Sequence, residues 1–151
     1  MSILVSGSLA YDYVMDFPDS FKNHILPDQI HILNVSFVVD KLNKNFGGCA
    51  GNIAYTMKLL GEEPIILGAL GQDATDYLEH FKKVKLKTAY IKRVEDKFTA
   101  SAHITTDKDD NQLIAFYSGA GEAAVDLSVS AVQEKLDLAL ITPTKKEAPM
   151  P

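Results

Sequence analysis

Apolar residues in this chain fall into short runs and helical repeats that alternate, separated by stretches of a different character. Ile3-Leu4-Val5 is an apolar run stopped by Gly7 and predicts a buried first strand. Ile53, Ala54, Met57 and Leu60 recur at helical spacing over residues 50–60, where Gly47-Gly48 breaks the chain before them and Gly61 ends the helix as a C-terminal cap. Residues 64–70 predict a second buried strand, punctuated by Gly68 and Gly71. Asp73 is placed to cap a second helix with apolar positions Tyr77, Leu78, Phe81 and Val84. Tyr90-Ile91 opens another strand, the second half of 125–136 reads as helical, and Leu138–Ile141 forms a last buried strand before Pro143.

Two blocks interrupt this alternation. Residues 11–40 hold Pro18, Pro27, several aromatics and β-branched stretches such as 35–39, which predict short strands and loops. Ala100–Thr106 and Gln112–Tyr117 flank the polar turn Asp107-Lys108-Asp109-Asp110-Asn111 and read as a hairpin. Strands alternating with helices, broken by strand-only segments, indicate an α/β fold with a parallel sheet and a small β excursion.

Composition narrows the function classes. Of 151 residues, 46% are hydrophobic and 23% charged, enough for one domain with its own core. A net charge of -5 leaves no cationic excess for a nucleic-acid backbone. The Lys82, Lys83, Lys85, Lys87 run is interleaved with Val84 and Leu86 and reads as a solvated helix end and the loop after it. Cys49 stands alone, so no intrachain disulfide forms; a small buried thiol is its expected role. No apolar run reaches a membrane span and residues 1–10 have no leader pattern, so a cytoplasmic setting is expected.

Two stretches carry candidate chemistry. In Gly7-Ser8-Leu9-Ala10-Tyr11-Asp12 a strand ends at the carboxyl edge of the sheet, where open α/β folds bind ligands. An ionised Asp12 there accepts hydrogen bonds from two hydroxyls at once, as a vicinal diol requires; the bland alternative is a solvated loop carboxylate. In Gly47-Gly48-Cys49-Ala50-Gly51-Asn52 the glycines admit a ligand to the backbone, and the following helix aims free N–H groups at the same place. Asn52 on the first turn both donates and accepts. A tight strand-to-helix connection explains the same glycines. The dinucleotide spacing G-x-G-x-x-G and the Gly-Lys-Ser/Thr of a Walker loop are both absent, which disfavours a dinucleotide-binding domain. His24, His31, His80 and His103 lie scattered without cysteine partners, which argues against a metal site. Asp107-x-Asp109-x-Asn111 lacks the glycine and the glutamate of a calcium loop.

Taken together and in order, Gly7-Ser8 with Asp12, Gly47-Gly48 with Asn52, Leu60-Gly61, and Gly68 with Gly71 and Asp73 resemble the N-terminal pattern of the ribokinase-like (PfkB family) carbohydrate and nucleoside kinases. Thr99-Ala100-Ser101-Ala102 and Phe116-Tyr117-Ser118-Gly119-Ala120 are similar to the family's paired lid strands. His24-Ile25-Leu26-Pro27 and Asp109-Asp110-Asn111-Gln112 look most like the bacterial adenosine-kinase-like branch. The resemblance implies a partial, doubly wound parallel sheet with a β lid at about 13–40 and 98–118, all within one truncated domain.

It implies further that Asp12 holds two sugar hydroxyls, that Gly47, Gly48 and Asn52 line the sugar site, and that Ala102 and Phe116 pack over it from the lid. The intact enzyme would use ATP and Mg²⁺ to phosphorylate a primary hydroxyl of a ribose-like or adenosine-like acceptor. The family's Asn-x-x-Glu motif, whose Glu supports the metal through water, falls on Thr144-Lys145-Lys146-Glu147, where Asn is replaced and only Glu147 remains. Thr75-Asp76 stands where the family has Gly, so the second helix should start differently. No Gly-Ala-Gly-Asp catalytic motif occurs; Gly119-Ala120-Gly121-Glu122 is the end of the second lid strand rather than a substitute. The catalytic base and ATP pocket are therefore expected outside this chain, and the residues 148–151 do not resemble a domain end. The rival is a non-catalytic sugar-binding or regulatory module. In either case the partner is a small sugar or nucleoside, and a homodimer through the lid or an open sheet edge is expected.

Overall fold

The computed structural model describes residues 1–143, which divide into two compact units. Among the described residues the first unit holds Met1–Tyr11, Phe46–Ser101 and residues 117–143, and the second holds Asp12–Asn45 and Ala102–Phe116.

The first unit is an α/β layer built on four parallel strands: β1 (Ile3–Ser6), β4 (Ile65–Leu70), β5 (Ile91–Arg93) and β8 (Leu138–Ile141), in the order β5-β4-β1-β8. Leu4 pairs with Ile65 and with Ala139, so β1 is central. All six residues of β4 are buried, as a continuous apolar run in a parallel sheet should be. Helix α1 (Cys49–Leu59) packs on β1 and β4 through Ala50 and Ala54, whose small side chains allow close approach. Gly61 closes that helix at φ +90, as expected of a left-handed C-terminal cap. Helix α2 (Thr75–Lys83) buries Tyr77 and Phe81.

Three expectations are corrected here. Asp73 does not cap α2: the flanking residue is Ala74, and the Asp73 carboxylate accepts from the Thr99 N–H at 2.8 Å, so a long-range partner displaced the local one. Residues 125–136 form no α-helix. The chain runs in 3-10 turns, Gly119–Asp126 and Val129–Ala131, and Ser128 takes the Ser130 N–H on its own hydroxyl, a local bond that competes with a helix. Leu127, Val129, Val132 and Leu136 from this irregular stretch still pack with Leu4, Ile65 and Leu67. Leu138–Ile141 is a strand but not a buried one: it lies at the sheet edge, with Leu138 42% and Ile141 63% exposed.

The second unit is built on strands β2 (Ala10–Asp16), β3 (Lys41–Gly47), β6 (Ala100–Thr106) and β7 (Gln112–Tyr117), ordered β3-β2-β6-β7, whose ends run into the first unit. Phe17, Phe21 and Phe37 stack on one another, with centroids 4.8 to 5.6 Å apart, and form its small apolar centre. Asp107 ties the β6–β7 turn to the chain around residue 20. Its carboxylate accepts from the N–H groups of Phe21, Asp109 and Asn111 and from the Asn111 amide, all at 2.9 to 3.1 Å. Burial raises the pKa of Asp107, but these hydrogen bonds outweigh it and bring it to about 2. Among the described residues no helix is long and apolar enough to cross a membrane.

Candidate functional site

Gly47, Gly48 and Asn52 come together at the junction of β3 and α1. The β1 strand ends at Ser6, and the Ser8 that follows meets this junction: its hydroxyl accepts from the Cys49 N–H at 3.0 Å and its carbonyl from the Ala50 N–H at 3.0 Å. Ser8 thus occupies two of the first-turn donors of α1, so the expectation that the helix aims its free N–H groups at a ligand is corrected for Cys49 and Ala50. Sequence inspection missed this role, although Ser8 stood inside the Gly7-Ser8 pair.

Gly48 flanks the helix at φ +87, a conformation that excludes a side chain. A Cβ built there would lie 2.5 Å from the Ser8 carbonyl oxygen and 2.8 Å from the Ala10 nitrogen. The glycine is therefore required by close packing of two backbones. The Gly47 carbonyl accepts the buried Tyr77 hydroxyl at 2.6 Å, which fixes the junction to α2. Tyr77 was legible only as an apolar helix position; nothing in the sequence marked its hydroxyl. Asn52 is exposed on α1, and its backbone N–H bonds to the Gly48 carbonyl at 3.0 Å, which leaves its amide clear of the helix ladder. Cys49 is exposed, not the buried thiol expected, because it occupies the outward first position of the helix.

Next to the junction, Phe46 stacks on His80 with centroids 4.2 Å apart and planes 9° from parallel, and Tyr55 lies 5.4 Å from the same ring. Burial first, and the positive charge of Lys83 second, hold His80 below its ordinary pKa of 6.5. The imidazole is thus neutral at physiological pH and serves as a packing surface.

In the second unit Asp12, Ala102 and Phe116 lie on β2, β6 and β7. β2 and β6 are neighbours in the sheet, and Tyr13 and His103, each one residue beyond Asp12 and Ala102, stack with centroids 4.9 Å apart. Asp12 is half-buried, and that desolvation pushes its carboxyl pKa above the ordinary 3.8. Ala102 is half-buried and Phe116 is 62% exposed, its ring largely uncovered. Glu147 lies outside the described residues. Glu122 pairs with Lys97 at 2.7 Å, and the segment around it is a 3-10 turn. Among the described residues no three His, Cys, Asp or Glu side chains form a metal-binding group.

The model of the pfkB carbohydrate kinase family matches residues 11–141. A nucleoside kinase of Methanocaldococcus jannaschii is 31% identical over 127 residues, covering 81% of this chain and 38% of that protein. The structure of Burkholderia thailandensis nucleoside kinase in complex with inosine superposes with a TM-score of 0.81 at 36% identity, over 97% of this chain and 46% of that one. The crystal structure of the Methanocaldococcus jannaschii nucleoside kinase, an archaeal member of the ribokinase family, gives a TM-score of 0.81 at 25% identity and again covers 46% of that chain. The chain therefore spans less than half the length of the proteins it matches.

Proposed function

This chain belongs to the pfkB family of carbohydrate kinases, and from that premise we propose that it forms the acceptor-binding portion of an ATP-dependent nucleoside kinase. The acceptor class is inferred from the relatives: both named above are nucleoside kinases, and the structure of one is of its complex with inosine. Ribose itself presents the same diol and is the second acceptor to be tested.

The single observation that carries the reading is Asp12. Asp12 is a half-buried carboxylate on β2 whose partial desolvation raises its pKa, and hydrogen-bond donors from a ligand would stabilise its ionised form. Two hydroxyls of a ribose ring do so with paired, charge-assisted hydrogen bonds. Asn52, whose amide is free of the helix ladder, offers a donor and an acceptor to further hydroxyls. Gly47 and Gly48 line the sugar site in this reading by the family pattern, and the exposed ring of Phe116 presents an apolar face to a base, with the small Ala102 beside it on the lid.

In the intact enzyme these groups would position the primary hydroxyl, and ATP with Mg²⁺ would supply the phosphoryl group. Such catalysis is mostly positioning and charge stabilisation. In this reading the base that takes the hydroxyl proton and the ATP pocket correspond to the part of the relatives' length that this chain does not cover. Two assignments made from the family pattern remain part of this proposal: residues 13–40 and 98–118 act as a lid within one ribokinase-like domain, and Glu147 supports the metal through water.

Calorimetric titration of inosine, adenosine and ribose into the protein tests the reading. Asp12→Ala should cost about 2–4 kcal/mol of nucleoside affinity, the worth of a charge-assisted pair of hydrogen bonds. Nucleoside affinity unchanged by the substitution would refute the role of Asp12. An ATP-dependent phosphorylation assay on the 151-residue chain should show no turnover above a no-protein control.

A further inference from the structure

A cleft of about 520 Å³ lies along α2 and β5 in the first unit, and its lining shares no residue with the acceptor groups proposed above. Lys82, Lys85 and Arg93 bring three positive charges to it, and Leu78 with the buried Leu86 gives it an apolar floor. Several lysines elsewhere on this protein are neutralised locally: Lys58 pairs with Glu63, Lys92 with Asp126, Lys97 with Glu122 and Lys108 with Asp19. Among the described residues Lys82, Lys85 and Arg93 have no carboxylate partner, in a chain whose net charge is -5. Glu79 shares the cleft but forms no ion pair with them.

Helix-end electrostatics explains only part of this cluster. Lys82 lies in the last turn of α2, where the helix dipole favours a cation. Lys85 lies beyond the helix, and Arg93 ends β5, a different element. The backbone at Lys85 also takes φ +58, a left-handed conformation that glycine or asparagine adopts at lower cost. The Leu86 N–H to Phe81 carbonyl bond at 2.9 Å and the Lys85 N–H to Lys82 carbonyl bond at 3.1 Å hold this turn, which fixes Lys85 at the cleft and Leu86 beneath it.

Unpaired cations around an apolar floor suit an anion joined to a carbon skeleton, in a volume of the size that small ligands fill. Arg93 offers a planar fork and the lysines compact point charges, a combination matched to phosphate oxygens. The Thr75 and Thr88 hydroxyls and the Glu79 carboxylate can bond sugar hydroxyls. We propose that this cleft binds a small phosphate ester, with the phosphate on Lys82, Lys85 and Arg93 and the ester's skeleton against Leu78 and Leu86. It would be an effector site distinct from the acceptor groups, taking a phosphorylated nucleoside or a phosphorylated sugar.

The test is calorimetric titration of AMP, ribose 5-phosphate and inorganic phosphate at low ionic strength, into the unaltered chain and two variants. The first variant is Lys82→Gln with Lys85→Gln, and the second is Arg93→Gln; all three positions are exposed, and circular dichroism verifies the fold. Binding of AMP or ribose 5-phosphate should weaken by ~10-fold or more in each variant and fall as salt is raised. It should persist in Asp12→Asn, which separates this cleft from the acceptor groups. Strength in the AMP arm would identify a phosphorylated nucleoside, and strength in the other arm a phosphorylated sugar. Three outcomes would overturn the proposal: no ester binds, both esters bind the lysine variant unchanged, or inorganic phosphate binds as tightly as either ester.

Discussion

Gly48 shows how a residue that looks like part of a ligand loop is first of all a packing requirement. Its φ of +87 and the 2.5 Å from a built Cβ to the Ser8 carbonyl leave no room for a side chain. Gly48→Ala should therefore destabilise the first unit by about 3 kcal/mol, through backbone strain and a clash with backbone atoms that cannot rotate away. Urea denaturation checks this, and a loss under 1 kcal/mol would mean the junction relaxes. Tyr77→Phe removes the buried bond to the Gly47 carbonyl and should cost about 1–2 kcal/mol in the same measurement. Asp12 has a pH signature. Its folded pKa is raised, so it favours folding below the ordinary value of 3.8, and that gain is lost as pH rises through the folded value. Diol binding needs the ionised form, so nucleoside affinity should begin to fall, as pH is lowered, above the range of an ordinary carboxylate. Calorimetric titrations at stepped pH measure where that loss begins.

The β6–β7 turn responds to acid through Asp107. Asp107 has the opposite linkage to Asp12: its folded pKa is lowered to about 2, so its stabilising bonds are in full force above 3.8 and are lost as pH falls towards 2. Asp107→Ala removes the acceptor for three backbone N–H groups and the Asn111 amide, which should loosen both the turn and the Phe21–Asn23 3-10 helix. Hydrogen exchange at Phe21, Asp109 and Asn111 should accelerate in the variant at neutral pH, and in the unaltered protein only as pH approaches 2. Unchanged exchange at Phe21 in the variant would show that other contacts hold the turn. Helices α1 and α2 depend instead on their buried faces: Ala50 and Ala54 in one, Tyr77 and Phe81 in the other.

For the whole molecule the open side of the parallel sheet matters most. β8 pairs with β1 and, among the described residues, with no strand on its other side, and Leu138 and Ile141 are exposed along it. A parallel strand in this setting is normally covered on both faces. The chain should self-associate through this edge, and Ile141→Lys should shift it towards monomer by placing a charge on the strand. Sedimentation velocity over a concentration series measures both. A single monomeric species at every concentration would show that the edge is blocked by the chain's own residues.

Much of the α/β alternation was legible in sequence because it rests on local signals. The apolar run Ile3-Leu4-Val5, the helical spacing of Ile53, Ala54, Met57 and Leu60, and the polar turn between Ala100–Thr106 and Gln112–Tyr117 each report their own element. The glycine and aspartate positions also sufficed for family membership, since their order along the chain carries the resemblance. What the sequence could not determine were partners distant along the chain. Asp73 looked like a helix cap until Thr99 claimed it, Ser8 showed no sign of bonding Cys49 and Ala50, and Tyr77 hid a hydroxyl within an apolar pattern. The helix expected within 125–136 failed for the same reason. Leu127, Val129, Val132 and Leu136 find the core from 3-10 turns, because the packing surface of β1 and β4, and not the period of the segment, decides where those side chains are buried.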